Sequence, residues 1–542
     1  MKLLSKTVRL SILTALCLCF SICGFLSVKL PETASAEEDR YVTNHTLGAH
    51  VLTIVNEETD LTQTLTPDTD ETYEPSSRRW NGISTVIAAG NNVFVAWRTG
   101  GMREPSPYVY VAVAVSTDGG QTFRDPYLII DPINPAAYVE IPMFYYNNSG
   151  DLFLTYRVFG GGPGEFAIKI VNPSAPLDQI KFEEPVMIGN PSGDLGGCFA
   201  MYCKPLLLGS GRIIYGSTNY DNKQSTAVYE STNDGRTFFT DAVIESACGS
   251  SKTNGEASIV KLSDGTLWCL SRVEGGAFGG IEEAYSYDDG RTWSVARGDL
   301  NAPLHGPGSR FTMINLASGA LLFVSNNNTG IRANMTAYLS LDDGFTWPYS
   351  IELDNSVSAY PDAYQAPDGK IYIVYDKGRY SEGGIRLCVL TEDDLKAGDF
   401  VSEGSINRKS VTKLSTGWTD AVTMNGVEKN LTVKGGTSYD EVIGMLPTTV
   451  SVTDSEGENL NLSGTWFCND YTGEEGEYVF RFQVGRDNGN KLVDPLNVMT
   501  VNVSVSGKSG AGGCNSSVPG TAAFSLAVAC VFFIFGKRGK RQ

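Results

Sequence analysis

The chain carries one octet four times, and a spaced repeat narrows the possible folds more than any composition does. Ser286 to Trp293 reads S-Y-D-D-G-R-T-W. Ser116 to Phe123 reads S-T-D-G-G-Q-T-F, and Ser340 to Trp347 reads S-L-D-D-G-F-T-W. Ser231 to Phe238 reads S-T-N-D-G-R-T-F, with Asn233 in the Asp position. The starts lie 115, 55 and 54 residues apart, and 115 is close to two of the shorter steps. A period of this size marks a solenoid, propeller or array. Within each octet, Ser and Asp can bond nearby backbone amides, Gly admits a positive φ, and the final aromatic ring can fold back under the turn. Apolar runs at 111–115, 227–229 and 335–339 precede three of the copies, so the octet reads as the turn of a strand hairpin.

Short strands separated by turn signals run from about residue 78 to 400. Examples are 93–97, 108–115, 152–157, 212–215, 267–272, 320–324 and 371–375. About 320 residues at the 54–55 residue period give six units, and four strands per unit make each one a propeller blade. The step near residue 171 lacks its octet and reads as a blade with a diverged turn. From about 405 to 507 the repeat stops. Segments 421–424, 441–443, 448–452, 477–484 and 497–505 pattern as strands of a small β-sandwich. The fold class is therefore all-β, a six-bladed β-propeller followed by an Ig-like β-sandwich.

The ends carry addresses rather than fold. Lys2, Lys6 and Arg9 precede an apolar run at 10–28 and an A-S-A site at 34–36, the pattern of a secretory signal peptide over 1–36. Residues 37–77 form a polar lead-in. At 508–542 a Gly/Ser spacer leads to an apolar stretch and a basic tail ending Lys537-Arg-Gly-Lys-Arg541. That tail is similar to the surface anchors of Gram-positive exoproteins, so the expected location is the cell surface, held to membrane or cell wall.

A formal charge of −19 argues against nucleic acid, whose phosphates need a basic surface. Six cysteines between the two ends (Cys198, Cys203, Cys248, Cys269, Cys388, Cys468) show no paired metal spacing, and His45, His50 and His305 are the only histidines. No metal or other cofactor is implied. Cys198 and Cys203 either bridge or remain buried thiols.

The octets resemble the Asp-boxes of sialidase-like propellers, a likeness that covers roughly residues 78–400. Between them, Asn254-Gly-Glu256 with Arg272 sixteen residues on is similar to the sialidase stretch in which a Glu polarises a nucleophilic Tyr and an Arg joins a substrate-carboxylate clamp. By the same resemblance Arg332, eight residues before the last octet, is a second clamp arginine, and Tyr360 is the nucleophile. The family's opening R-I-P run is Gly82-Ile83-Ser84 here, leaving Arg79 or Arg310 to complete the clamp. Glu104 is the nearest acid to the family's acid/base position. The chemistry is coherent. Paired guanidiniums suit a carboxylate. A neutral Tyr escapes the charge repulsion that a carboxylate nucleophile would meet, and it needs a base such as Glu256 to become reactive. The resemblance implies a surface-anchored exo-α-sialidase acting on extracellular glycans. A propeller glycosidase for another terminal sugar, such as a uronic acid, and a non-catalytic glycan-binding adhesin are the alternatives.

Overall fold

Antiparallel meanders succeed one another along the chain, most strands pairing with a sequence neighbour. The computed structural model describes residues 44–508 apart from 48–49, 64, 66–71, 79, 101–108, 133–136, 160–163, 190–199, 219–224, 248–253, 380–382, 413–418, 455–456, 469–470, 485–491 and 494–497. The signal-peptide and tail-anchor expectations, Cys198 and Cys248 lie outside the described residues. Among the described residues no helix is long and apolar enough to cross a membrane.

Strands β1 (Asn44–Leu47) and β2 (His50–Ile54) extend a first meander of β3 (Asn81–Ala89), β4 (Asn92–Thr99), β5 (Tyr110–Ser116) and β6 (Arg124–Pro132). The next comprises β7 (Tyr138–Tyr146), β8 (Leu152–Phe159), β9 (Gly164–Val171) and β10 (Lys181–Phe182), with β11 (Val186–Gly189) also on β9. Then follow β12 (Leu206–Leu208), β13 (Arg212–Thr218), β14 (Ser225–Ser231) and β15 (Phe239–Glu245). After them come β16 (Asn254–Lys261), β17 (Leu267–Val273) and β18 (Ile281–Ser286). Strands β19 (Thr312–Asn315), β20 (Leu321–Asn326) and β21 (Ala333–Ser340) pair in succession, and β21 pairs with the first half of β22 (Tyr349–Gln365). Its second half opens the meander of β23 (Ile371–Lys377), β24 (Gly384–Leu390) and β25 (Ile406–Thr412). This is an all-β, propeller-like arrangement. The interiors of β3, β4, β5, β21, β23 and β24 are buried throughout, which is why they read as continuous apolar runs rather than alternating ones.

The octets close the turns after β5, β14, β18 and β21, each the third strand of its meander. The same bonds recur in each copy, save that Asn233 donates its side-chain amide to the Thr237 hydroxyl where the Asp of the other copies accepts. In the last, Ser340 Oγ accepts the Gly344 N–H at 2.8 Å and donates to Asp342, while Asp342 accepts the Thr346 N–H at 2.8 Å and its hydroxyl at 2.7 Å. Two third strands end otherwise. After β9, Asn172 takes a left-handed turn at φ 54°. After β24, Thr391 and Asp394 form a capping box that starts helix α1 (Glu392–Ala397).

Near the middle of the strands Lys204 reaches the carbonyls of Val86 on β3 at 2.9 Å and Phe144 on β7 at 3.1 Å, and Asp362 on β22 at 2.8 Å. Asp362 also accepts from Thr85 Oγ1 and the Val86 N–H. Burial lowers the Lys204 pKa, and Asp362 offsets part of that effect.

The chain divides into two compact units: one of residues up to 427 with 448–465 and 481–500, the other of 428–447, 466–480 and 501 onward. In the first, Thr419–Asn425, Thr449–Asp454 and Asn459–Phe467 pair antiparallel in succession. In the second, Asn430–Gly435 pairs with Thr500–Lys508 in parallel. The strand expected at 441–443 is instead helix α2 (Tyr439–Met445). Ser438 and Glu441 form a reciprocal capping box, and that local start signal outweighs the apolar alternation of so short a segment. Cys203, Cys269 and Cys388 are buried free thiols, and Cys468 is buried as well.

Candidate functional site

The site grows from backbone irregularities. Strands β3, β7, β16 and β22 each carry one extra residue against their partner. The register slips between Gly82 and Thr85, Glu140 and Met143, Asn254 and Ala257, and Ala359 and Asp362. The backbone turns left-handed there, at Ile83 (φ 57°), Ile141 (φ 55°) and Tyr360 (φ 52°), and reaches φ 156° at Gly255. Bulges re-aim side chains out of the ladder, and non-glycine residues in this region are strained. At residue 255 only glycine fits, because a Cβ would stand 2.5 Å from the Thr218 Cα. These bulges present Glu256 and Tyr360.

Arg272 joins the two. Its Nη1 donates to Glu256 at 2.6 Å and to the Tyr360 hydroxyl at 2.9 Å, and Tyr360 also hydrogen-bonds Glu256. Four guanidiniums surround the Tyr360 ring, with carbons 4.1 Å (Arg379), 5.1 Å (Arg310), 5.3 Å (Arg332) and 5.9 Å (Arg272) from its centroid. Arg310 is committed to the backbone. It donates to the carbonyls of Ser84 at 2.9 Å, Tyr360 at 3.1 Å and Tyr202 at 3.1 Å. It thereby holds the carbonyl of the strained Tyr360.

Electrostatics separate the roles. Burial pushes the Tyr360 phenol up to about 12, with the Glu256 charge adding and the arginines opposing. Burial alone would raise Glu256, but the Arg272 charge and hydrogen bond overcome it and hold the carboxyl below its ordinary value. The resting pair is a neutral tyrosine beside an ionised carboxylate, as general-base activation requires.

Arg379, just after β23, was not marked by any motif. Its guanidinium pairs through two nitrogens with Asp376, which also accepts the Ile83 N–H at 3.3 Å. It lies 5.4 Å from the Trp80 ring as well. A Cβ on Gly82 would stand 3.2 Å from Arg379 Nε and 3.3 Å from Asp376 Oδ2. The space that the R-I-P arginine would enter thus holds an arginine from another strand. Asp376, near the end of β23, anchors it.

A second polar group lies beside these residues. Arg98 pairs with Glu140 at 2.7 Å, and Glu140, Arg157 and Glu165 follow one another across the register of β7, β8 and β9. Burial pushes the Tyr202 phenol well up, and the charges of Glu140 and Glu256 add to it, so Tyr202 links the two groups. Burial also raises Glu165 to about 8, with Arg157 opposing.

Of the residues expected from sequence, Glu256, Arg272, Arg310, Arg332 and Tyr360 come together. Arg79 and Glu104 lie outside the described residues. Arg78, next to Arg79, is turned into the core, where it pairs with Asp125 at 2.7 Å. Sequence reasoning missed Arg379, Asp376, Tyr202 and Glu140, and only the vacancy at Gly82 hinted at the first.

The family model described as "BNR repeat-like domain" matches residues 91–373. No curated protein matches the chain. Among solved structures it is similar to a Hadza microbial sialidase at 19% identity, over 55% of this chain and 63% of that one, with a TM-score of 0.45. It is similar to the NanB sialidase from Streptococcus pneumoniae at 14% identity, over 59% and 68%, with a TM-score of 0.44. A third is the Penicillium chrysogenum alpha-L-arabinanase, at 13% identity over 58% and 94%, with a TM-score of 0.41. The chain covers less than two thirds of the first of these structures. Residues 91–373 are 283 of 542, more than half of the sequence, and the chain belongs to the BNR repeat-like domain family.

Proposed function

We propose that this protein is an exo-acting glycoside hydrolase that removes a terminal acidic sugar, sialic acid foremost, from extracellular glycans. One observation carries the reading: Arg272 joins the Tyr360 hydroxyl to the Glu256 carboxylate, among a cluster of further guanidiniums. Arg272, Arg332 and Arg379 hold the sugar carboxylate. Tyr360 attacks the anomeric carbon as Glu256 takes the phenolic proton, while Glu104 protonates the departing glycosidic oxygen. Water then displaces Tyr360, its proton passing to Glu104 while Glu256 returns the phenolic proton to Tyr360, so the anomeric configuration is retained. Arg310 keeps Tyr360 in place. The signal peptide, the Ig-like spacer at 405–507 and the tail at 508–542 would set this site out from the cell surface.

A uronic acid is the second candidate substrate, because Gly82 leaves the clamp built differently from the pattern it resembles. The test is turnover of fluorogenic sialosides beside uronic and neutral glycosides. Sialoside hydrolysis that disappears in Tyr360→Phe supports the first reading, and hydrolysis of a uronoside alone selects the second. Glycan binding with no turnover of any substrate overturns both in favour of an adhesin.

A further inference from the structure

A cleft of about 460 Å³ lies away from Tyr360, where the turn after β21 meets strands β17 and β18. Its apolar floor is aromatic. Trp268 and Tyr285 are cross-strand partners with rings parallel to within 2°, and Trp347 closes the other side. Gly344 brings these together, since a Cβ there would stand 2.5 Å from the Trp268 ring and 3.5 Å from that of Trp347.

Two departures from the other octets occur at this cleft. The sixth octet position is Gln121, Arg236 and Arg291 elsewhere, whereas here it is Phe345, which is 88% exposed at the rim. A ring so exposed on a turn that takes polar residues elsewhere marks a contact surface. The Trp293 indole N–H donates to the Gly290 carbonyl at 2.8 Å, but the equivalent buried N–H of Trp347 has no acceptor among the described residues. A buried donor without an acceptor beside a cleft calls for a partner.

The charges narrow the ligand. The lining holds the carboxylates of Glu283, Asp299 and Asp343 against the single guanidinium of Arg297. Glu283 is already bonded to Trp268 Nε1, the Tyr285 hydroxyl and Arg297. That balance is opposite to the arginine-rich surround of Tyr360 and repels an anionic sugar. Trp268, 3% exposed, backs the cleft, while the exposed Phe345 ring and the half-buried Tyr285 and Trp347, with scattered polar groups, suit the C–H face of a neutral pyranose. We propose that this cleft is a separate binding site for a neutral hexose unit of a glycan, independent of the reaction at Tyr360.

The test is titration of the full chain with lactose and, separately, with free sialic acid, read by tryptophan fluorescence. Lactose should shift the emission saturably, and Phe345→Ala should weaken it about tenfold or more while Tyr360→Phe leaves it unchanged. Sialic acid should shift it only through Tyr360's surroundings, in a manner indifferent to Phe345→Ala. The turnover of a small fluorogenic substrate should be the same in Phe345→Ala as in the parent, which keeps failure here distinct from failure of the catalytic reading. No lactose response, or one untouched by Phe345→Ala with the melting temperature preserved, overturns the proposal.

Discussion

The Arg379 guanidinium stands 3.2 Å from the point where a Cβ on Gly82 would lie. The two positions therefore compete for one space, and that competition can be tested by exchange. Arg379→Met strips Asp376 of its cation inside the protein, which costs about 3–5 kcal/mol. It should also lower kcat/KM on an acidic glycoside on the order of 100-fold. Gly82→Arg alone should clash with Trp80 and Arg379. The double variant should recover melting temperature and activity relative to Arg379→Met, and a double variant no better than that single would show that the positions are not interchangeable.

Tyr360→Phe removes the hydroxyl held by Arg272 and Glu256 while keeping the ring among the guanidiniums. Turnover should fall on the order of 10³-fold or more, as for loss of a nucleophile. Because the low Glu256 pKa keeps the base ionised, the acid limb of kcat/KM should lie below the usual carboxylate range near 4.3. A limb at or above that value would exclude Glu256 as the group titrating there.

Glu165 should make stability depend on pH. Burial raises its folded pKa from 4.5 to about 8, so the folded state holds the proton more tightly than the unfolded one. The contribution is fully present below about 4.5 and is lost as pH rises toward 8. Glu165→Gln should flatten the melting curve across that window and raise stability at pH 8 by roughly 2–4 kcal/mol. Parallel pH profiles for parent and variant would count against the assignment.

Ser340→Ala deletes the acceptor of the half-buried Gly344 N–H. Denaturant unfolding should show a loss of about 1–3 kcal/mol. The equivalent change at Ser116, in a distant turn, should add to it, since separated sites act independently. The kcat of either variant should be unchanged, because none of the octet bonds reaches Tyr360.

Much of this was legible. The octets marked the turns after four third strands, and the sixteen-residue step from Glu256 to Arg272 works because β16 and β17 form a hairpin whose bulge faces Arg272. What escaped notice depended on tertiary placement. Arg379 belongs to the site only because residue 82 lacks a side chain in a strand nearly 300 residues earlier. Arg310 read as a clamp residue by type, yet its donors go to carbonyls of Ser84, Tyr202 and Tyr360, which only folding brings together. Helix α2 was missed for the opposite reason. Its capping box was present in Ser438 and Glu441, and the apolar pattern was given more weight than the cap.

The tie between Lys204 and Asp362 has a kinetic consequence. Asp362 lies two residues along β22 from Tyr360, and Lys204 binds it to β3 and β7 at the same level. For the proposed hydrolysis that tie would bar the way past Tyr360, so a glycan would not be threaded onward for a second cut. Each turnover would end with the shortened chain backing out the way it came. Time courses on a polymeric substrate should then show free terminal sugar from the first cycle, released distributively across all chains.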